Sequence, residues 1–200
     1  MHPYITQLSK DKKLKKLIDV HGEIRLRKRK NIPLLLCESI MSQQLSVKVA
    51  EVIFNRFLEL YGKVEPTPEQ IFDTPHEILR SIGLSNAKVT YVKNVAQFAI
   101  ENGIDVKKLK PMSNEEVIEY LIPIKGVGRW TVEMLMIFTL GREDVFAPDD
   151  LGIQNKMSSL FRLDKSDKKK FREDMLRISS KWTPYRSFAC LHLWAWKNND

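Results

Sequence analysis

The sequence is most informative at first for what it lacks. Two cysteines in 200 residues, Cys37 and Cys190, cannot supply a four-thiolate iron–sulfur cluster, and no Cys/His spacing suits structural zinc. Each lies in an apolar stretch and is expected to be a small buried hydrophobe in a reducing compartment. No apolar run approaches the length of a membrane span, and the opening Met1-His2-Pro3-Tyr4 resembles no secretion leader. These absences predict a cytosolic protein, or a nuclear one in a eukaryote, with no membrane partner. Strand-type alternation, internal repeats and low-complexity tracts are also missing.

What is present suits a folded helical protein. Hydrophobic residues make up 43% of the chain and include nine Phe, so a core can form. The length allows one sizeable unit or two small lobes. A formal net charge of +8 favours polyanionic partners such as nucleic acid or anionic lipid. The periodic stretches read as helix. Val47, Ala50, Ile53, Phe54, Phe57 and Leu58 recur at three- and four-residue steps. Val89, Val92, Val95, Ala96 and Ala99 do the same, with Gly103 placed to stop the run. Thr67-Pro68 with Gln70, Thr74-Pro75 with Glu77, and Ser113 with Glu116 read as capping boxes. The Lys165–Lys170 stretch reads as the solvated start of a helix. An all-α chain of nine to eleven helices with short loops is expected.

One turn stands out. An apolar helix ends at Leu121-Ile122-Pro123-Ile124, passes through Lys125-Gly126-Val127-Gly128, and restarts at Arg129-Trp130-Thr131-Val132. Glycines there permit positive φ and close approach of the backbone to another surface. The restarted helix leaves N–H groups that suit a phosphate oxygen. Lys125 and Arg129 would add charge without sequence readout. A lone Gly-x-Gly is an ordinary helix connection. The full string, apolar–Pro–x–x–Gly–Val–Gly–Arg–aromatic–Thr, resembles the hairpin of the helix-hairpin-helix DNA glycosylase superfamily. In that family the hairpin amides hold a DNA phosphate, which implies DNA contacts at Lys125, Gly126, Val127, Gly128, Arg129 and Thr131. The resemblance also allows a sodium or potassium ion on the hairpin carbonyls, and implies no other cofactor.

Downstream lies Ala147-Pro148-Asp149-Asp150, followed by an apolar helix from Leu151. Alone, either aspartate reads as a helix N-cap. Beside the hairpin, the pair falls where the superfamily places its catalytic carboxylate, second in Pro-Asp-Asp. Asp150 takes that role by resemblance and Asp149 that of local cap or loop stabiliser. The chemistry suits the place. Breaking an N-glycosidic bond builds oxocarbenium-like charge that a carboxylate stabilises, and a helix N-terminus favours negative charge. Bifunctional relatives carry a Schiff-base lysine two residues beyond the second glycine; here that residue is Trp130, which implies base release without strand cleavage. Asp150 follows Trp130 by twenty residues, which resembles the 3-methyladenine DNA glycosylase II group.

Three further stretches resemble the same group. Glu38 to Ala50 contains Gln43-Gln44, a loop that in the family enters the minor groove, with Gln44 at the gap-filling position. Gly83-Leu84-Ser85 with Lys88 and Tyr91 matches a second segment; Ser85 reads as DNA contact or helix cap, Lys88 as phosphate contact or solvated charge. The C-terminal stretch holds Trp182, Tyr185, Phe188, Trp194 and Trp196. Tyr185, Phe188 and Trp196 read as core, while resemblance places Trp194 in a base pocket with Trp130 and Met134. Met134 stands where a relative has a pocket tyrosine. Aromatic faces attract cations, and alkylated purines are cationic and good leaving groups.

The resemblance implies a two-lobed helix-hairpin-helix glycosylase fold with its active site in the inter-lobe cleft. It forms one unit over 1–200, with lobes at about 31–110 and about 111–200, the latter joined by 1–30, and no preceding β domain. The expected activity is monomeric, monofunctional hydrolysis of alkylated bases, of the 3-methyladenine and 7-methylguanine class, from double-stranded DNA in base excision repair, by flipping the base out of the stack. Excision of another purine lesion is the enzymatic rival. A non-catalytic helix-hairpin-helix DNA-binding module is the rival of a different kind.

Overall fold

A computed structural model describes residues 2–26 and 31–197, apart from the side chain of Val47. Among the described residues there is helix and no strand. The helices are α1 (Pro3–Leu8), α2 (Lys12–His21), α3 (Ile32–Ser42), α4 (Val47–Glu59), α5 (Pro68–Asp73), α6 (His76–Ser81), α7 (Asn86–Asn102), α8 (Val106–Leu109), α9 (Asn114–Leu121), α10 (Arg129–Phe138), α11 (Leu151–Phe161), α12 (Lys168–Ser179) and α13 (Arg186–Ala195), with a 3-10 turn at Ser180–Trp182. Thirteen exceeds the nine to eleven expected because α1, α5, α6 and α8 have only four to six residues, too few to show a period. None of the described helices is long and apolar enough to cross a membrane.

Capping follows the sequence at most starts. Thr67 with Gln70 and Ser113 with Glu116 form complete capping boxes. Ser46 caps α4, Ser85 caps α7, and Gly103 ends α7 at φ 73°. The Thr74-Pro75 box does not form. Thr74 instead closes α5, its hydroxyl 2.7 Å from both the Gln70 carbonyl and the Tyr61 hydroxyl, so α6 starts at His76 without a side-chain cap. Two hydroxyl partners already in reach outcompete a cap on the next helix.

The chain divides into two compact units, one of residues 1–28 with 136–200 and one of residues 29–135. The lobe boundary expected near 110 therefore falls at 135/136. The hairpin belongs with the central helices because α7 grips it, through a hydrogen bond from Asn94 Nδ2 to the Lys125 carbonyl and through the Tyr91 ring against Gly126. In this 29–135 unit α7 packs on α3 and α5, and α3 on α4. Its core includes Leu36, Cys37, Ile40, Phe57, Val92 and Val117, all essentially inaccessible.

In the other unit α13 packs on α2 and α11. Tyr4, Trp182, Phe188 and Cys190 lie in its core. The Tyr4 ring stacks on Phe188 at 4.1 Å, and its hydroxyl accepts from the Ile24 amide at 2.7 Å. Asp11 caps α2 with one oxygen and accepts from the Trp182 indole with the other at 3.1 Å, joining residues 171 apart. Phe188 is core as expected; Tyr185 and Trp196 are half-buried, with Lys156 Nζ 5.4 Å from the Trp196 ring. Both cysteines are free and buried.

Candidate functional site

The hairpin runs from the end of α9 into α10. Its two glycines do different work. Gly126 has φ 103°, and a Cβ there would lie 2.3 Å from Tyr91 Cγ, inside a rigid ring. No other residue fits. A Cβ on Gly128 would meet nothing within 4 Å, so the fold leaves Gly128 facing open space. The intervening Val127 is buried and its amide donates to the Ile124 carbonyl at 2.9 Å. That amide closes the turn, so it is unsuited to the phosphate contact expected of it. The N–H groups of the first turn of α10, at Arg129 to Thr131, are the ones a helix start leaves without intrahelical carbonyls. Thr131 itself is 2% exposed, so its side chain is core, and only its backbone is suited to DNA.

The two flanking cations also differ. Lys125 is exposed. Arg129 donates to Glu115 at 2.6 and 3.1 Å and to Glu133 at 3.2 Å. The Glu115 hydrogen bond, with both carboxylates' charge, raises the guanidinium pKa further. Glu133 is nearly inaccessible and sits one turn along α10. Arg129 therefore knits α9 to α10 and brings little net positive charge.

Gln43 and Gln44 follow α3. Gln43 donates from Nε2 to the Gly126 carbonyl at 3.4 Å. Gln44 is exposed at φ 59°, a left-handed conformation that costs a non-glycine residue about 1 kcal/mol. Lys88 is tied into the fold rather than standing as a solvated charge. Its ammonium is half-buried and donates to the carbonyls of Met41 and Gln43, each at 2.8 Å, with burial lowering its pKa. Ser85 serves as the cap of α7, accepting from the Lys88 amide.

In the unit holding residues 136–200, Asp150 is the N-cap of α11. Its Oδ1 accepts from the Ile153 amide at 2.8 Å and from the Trp194 indole at 2.9 Å. The cap role expected of Asp149 thus falls to Asp150, while Asp149 is exposed and pairs with Arg172. Of two adjacent carboxylates, the one next to the first helical residue reaches the helix amides. Trp194 is half-buried and lies tilted against the exposed ring of Phe138, centroids 5.4 Å apart. Gly152 makes room for this arrangement, since a Cβ there would be 3.0 Å from Asp150 Oδ1 and 3.4 Å from the Trp194 ring. Trp130 and Met134 are half-buried on α10.

Phe138, Gly152 and Asn94 are site-forming residues that sequence reasoning missed, and Tyr91 was noted only as part of a matching segment, without a role. A glycine two residues into a helix beside the candidate carboxylate was the available signal for Gly152. Tyr91 and Asn94 follow Lys88 at helical spacing. Among the described residues no cluster of three or more His, Cys, Asp or Glu suited to a metal ion occurs.

A helix start with open space at Gly128 and a carboxylate held between a helix amide and an indole suit an enzyme acting on nucleic acid. The profile of the HhH-GPD superfamily of base excision DNA repair proteins matches residues 37–181, and the chain belongs to that superfamily. Within it, the chain is 41% identical to DNA-3-methyladenine glycosylase 1 of Schizosaccharomyces pombe over 185 residues, 92% of this chain and 80% of that protein. It also superposes on the S. pombe 3-methyladenine DNA glycosylase solved with abasic DNA, with a TM-score of 0.87, 38% identity and 96% and 95% of the two chains covered. For the Bacillus halodurans DNA-3-methyladenine glycosidase the values are 0.83, 35%, 97% and 88%.

Proposed function

We propose that this protein hydrolyses the N-glycosidic bond of alkylated bases in double-stranded DNA, of the 3-methyladenine and 7-methylguanine class, and leaves the strand intact. The observation that carries this is the seating of Asp150. One of its oxygens is held by a helix N–H and an indole N–H, which fixes the carboxylate's direction before any substrate arrives. The similarity to named 3-methyladenine glycosylases supports the lesion class.

The first-turn amides of α10 hold a backbone phosphate, which reaches them across Gly128. Gln44 enters the duplex. The flipped base meets the Trp194 and Phe138 rings, whose faces favour its positive charge. The C1′–N bond then breaks and its electron pair leaves with the base. Asp150 stabilises the sugar cation and orients a water molecule, whose oxygen adds to C1′ as its proton passes to solvent. Trp130 stands where a Schiff-base nucleophile would be, and an indole cannot form one; strand cleavage therefore does not follow.

A sodium or potassium ion at the turn would be held by backbone carbonyls between residues 121 and 126. Neutral oxygens of this kind suit such cations, although those of Leu121, Ile124, Lys125 and Gly126 each already accept one hydrogen bond. The ion would add positive charge beside the phosphate.

The test is release of 3-methyladenine, 7-methylguanine and hypoxanthine from duplex DNA by wild type and D150N. Release of the methylated bases by wild type alone is expected, with no nick before heat or base treatment. Equal activity in D150N would overturn the role of the carboxylate, and DNA binding without release would leave a binding module.

A further inference from the structure

Helix α7 carries Lys88, Tyr91 and Asn94 at a three-residue spacing, which stacks them along one face over roughly 9 Å of axis. Each meets one of the two elements proposed to handle DNA in the 29–135 unit. Lys88 Nζ holds the carbonyls of Met41, at the end of α3, and of Gln43, immediately before Gln44. Tyr91 is the ring on which Gly126 packs too closely for any side chain. Asn94 Nδ2 donates to the Lys125 carbonyl at 3.2 Å. The Gln43 amide, reaching the Gly126 carbonyl, joins loop and hairpin directly.

The position of Lys88 has no local explanation. It is the third residue of its own helix, where the macrodipole disfavours a cation, and it is half-buried with its pKa lowered by burial. What it meets is the carboxyl end of α3, the end of a helix that favours cations. The adjoining Gln44 is in a left-handed conformation that a neighbouring anchor must maintain.

We propose that the Lys88–Tyr91–Asn94 face of α7 holds the Gln43–Gln44 loop and the hairpin turn in a fixed mutual setting, with Lys88 the positioning residue for the loop. This rests on the proposal that the loop enters the duplex while the hairpin grips the backbone. Lys88 then governs opening of the base pair, whereas Asn94 governs backbone grip, and neither touches the reacting atoms.

The test compares single-turnover release of 7-methylguanine from two duplexes, one with cytosine opposite the lesion and one with an abasic analogue there, where no pair needs opening. The proteins are wild type, K88C, K88C after S-aminoethylation, and Q44A. Alkylation is confined to the introduced thiol, since Cys37 and Cys190 are buried and burial pushes the Cys37 thiol up to about 12. K88C should slow release from the paired duplex at least tenfold and from the unpaired one by less than threefold. Aminoethylation, which restores an ammonium at near-lysine reach, should recover most of the lost rate.

Equal losses on both duplexes, no loss on either, or no recovery would each overturn the inference. If K88C does not fold, K88Q serves, and its loss must again be confined to the paired duplex. Q44A separates this inference from the proposal beneath it. Should Q44A leave both duplexes unaffected, the loop itself has no part in opening. A duplex-selective Q44A beside an unselective K88C defeats the role of Lys88 alone.

Discussion

Two helix starts in this molecule solve the same electrostatic problem in opposite ways. At α11 the chain supplies its own anion: Asp150 accepts from the Ile153 amide, so that end of the helix is satisfied internally. At α10 the residue before the helix is Gly128, which has no side chain with which to cap, and its flank is open. A helix start left so is receptive to an anion from outside. Under the proposed function, the same backbone physics would serve in one place to hold the carboxylate that acts on the substrate and in the other to hold the substrate itself.

The largest test of this contrast is D150N. It keeps the side chain's size and removes its charge, and single-turnover base release should fall by about 10²- to 10³-fold, the scale of losing an electrostatic stabiliser. Affinity for lesion-containing duplex, read by fluorescence anisotropy, should change little. Next comes the pair of glycines. G126A must push against the Tyr91 ring and should cost about 2 to 3 kcal/mol, seen as a fall of about 4–12 °C in melting temperature. G128A should melt like wild type and weaken duplex binding about tenfold, as expected if only the outside face of the turn is changed. A G128A protein that binds DNA normally would break the comparison.

Two smaller effects sharpen the α11 side. W194F retains an aromatic ring but loses the indole donor to Asp150. The worth of a hydrogen bond to a charged group predicts about a tenfold slower chemical step, with base affinity nearly kept. Acid should also act on this unit. His192, on the same helix as Trp194, is inaccessible, with Nδ1 3.3 Å from Nδ1 of His21. Burial, and secondarily His21, lower its pKa from 6.5 to about 4. The folded protein resists a proton that the unfolded chain accepts, so stability held above pH 6.5 is lost as pH falls toward 4. Thermal melts across that range should show the slope, and H192Q should flatten it. Last, R172A frees Asp149, but the pair is exposed and its removal should alter stability by less than about 1 kcal/mol.

Much of this was legible in the residues, for identifiable reasons. The caps at Thr67, Ser85 and Ser113 and the stop at Gly103 are set by neighbours within four residues, and local sequence contains them. The Gly-Val-Gly turn and Asp150 were singled out by resemblance to the superfamily, because alone they read as an ordinary helix connection and a helix cap. What escaped depends on distant partners. The role of Lys88 needs carbonyls 45 and 47 residues away. The failed box at Thr74 needs Tyr61. Burial of Thr131 is decided by which face of α10 meets the core, which the hairpin motif leaves open. The choice between Asp149 and Asp150 as cap turned on a single residue of register.

The pairing of Arg129 with Glu115 and Glu133 has a further consequence, for ionic strength. Counterions leave a duplex in proportion to the protein cations that replace them at phosphates, and each such exchange makes binding more sensitive to salt. An arginine already neutralised by its own chain displaces few. Under the proposed function, a phosphate held by amide dipoles at this turn would be less sensitive to salt than attraction by exposed lysines. Encounter with DNA and retention on it would respond differently to the same change of medium.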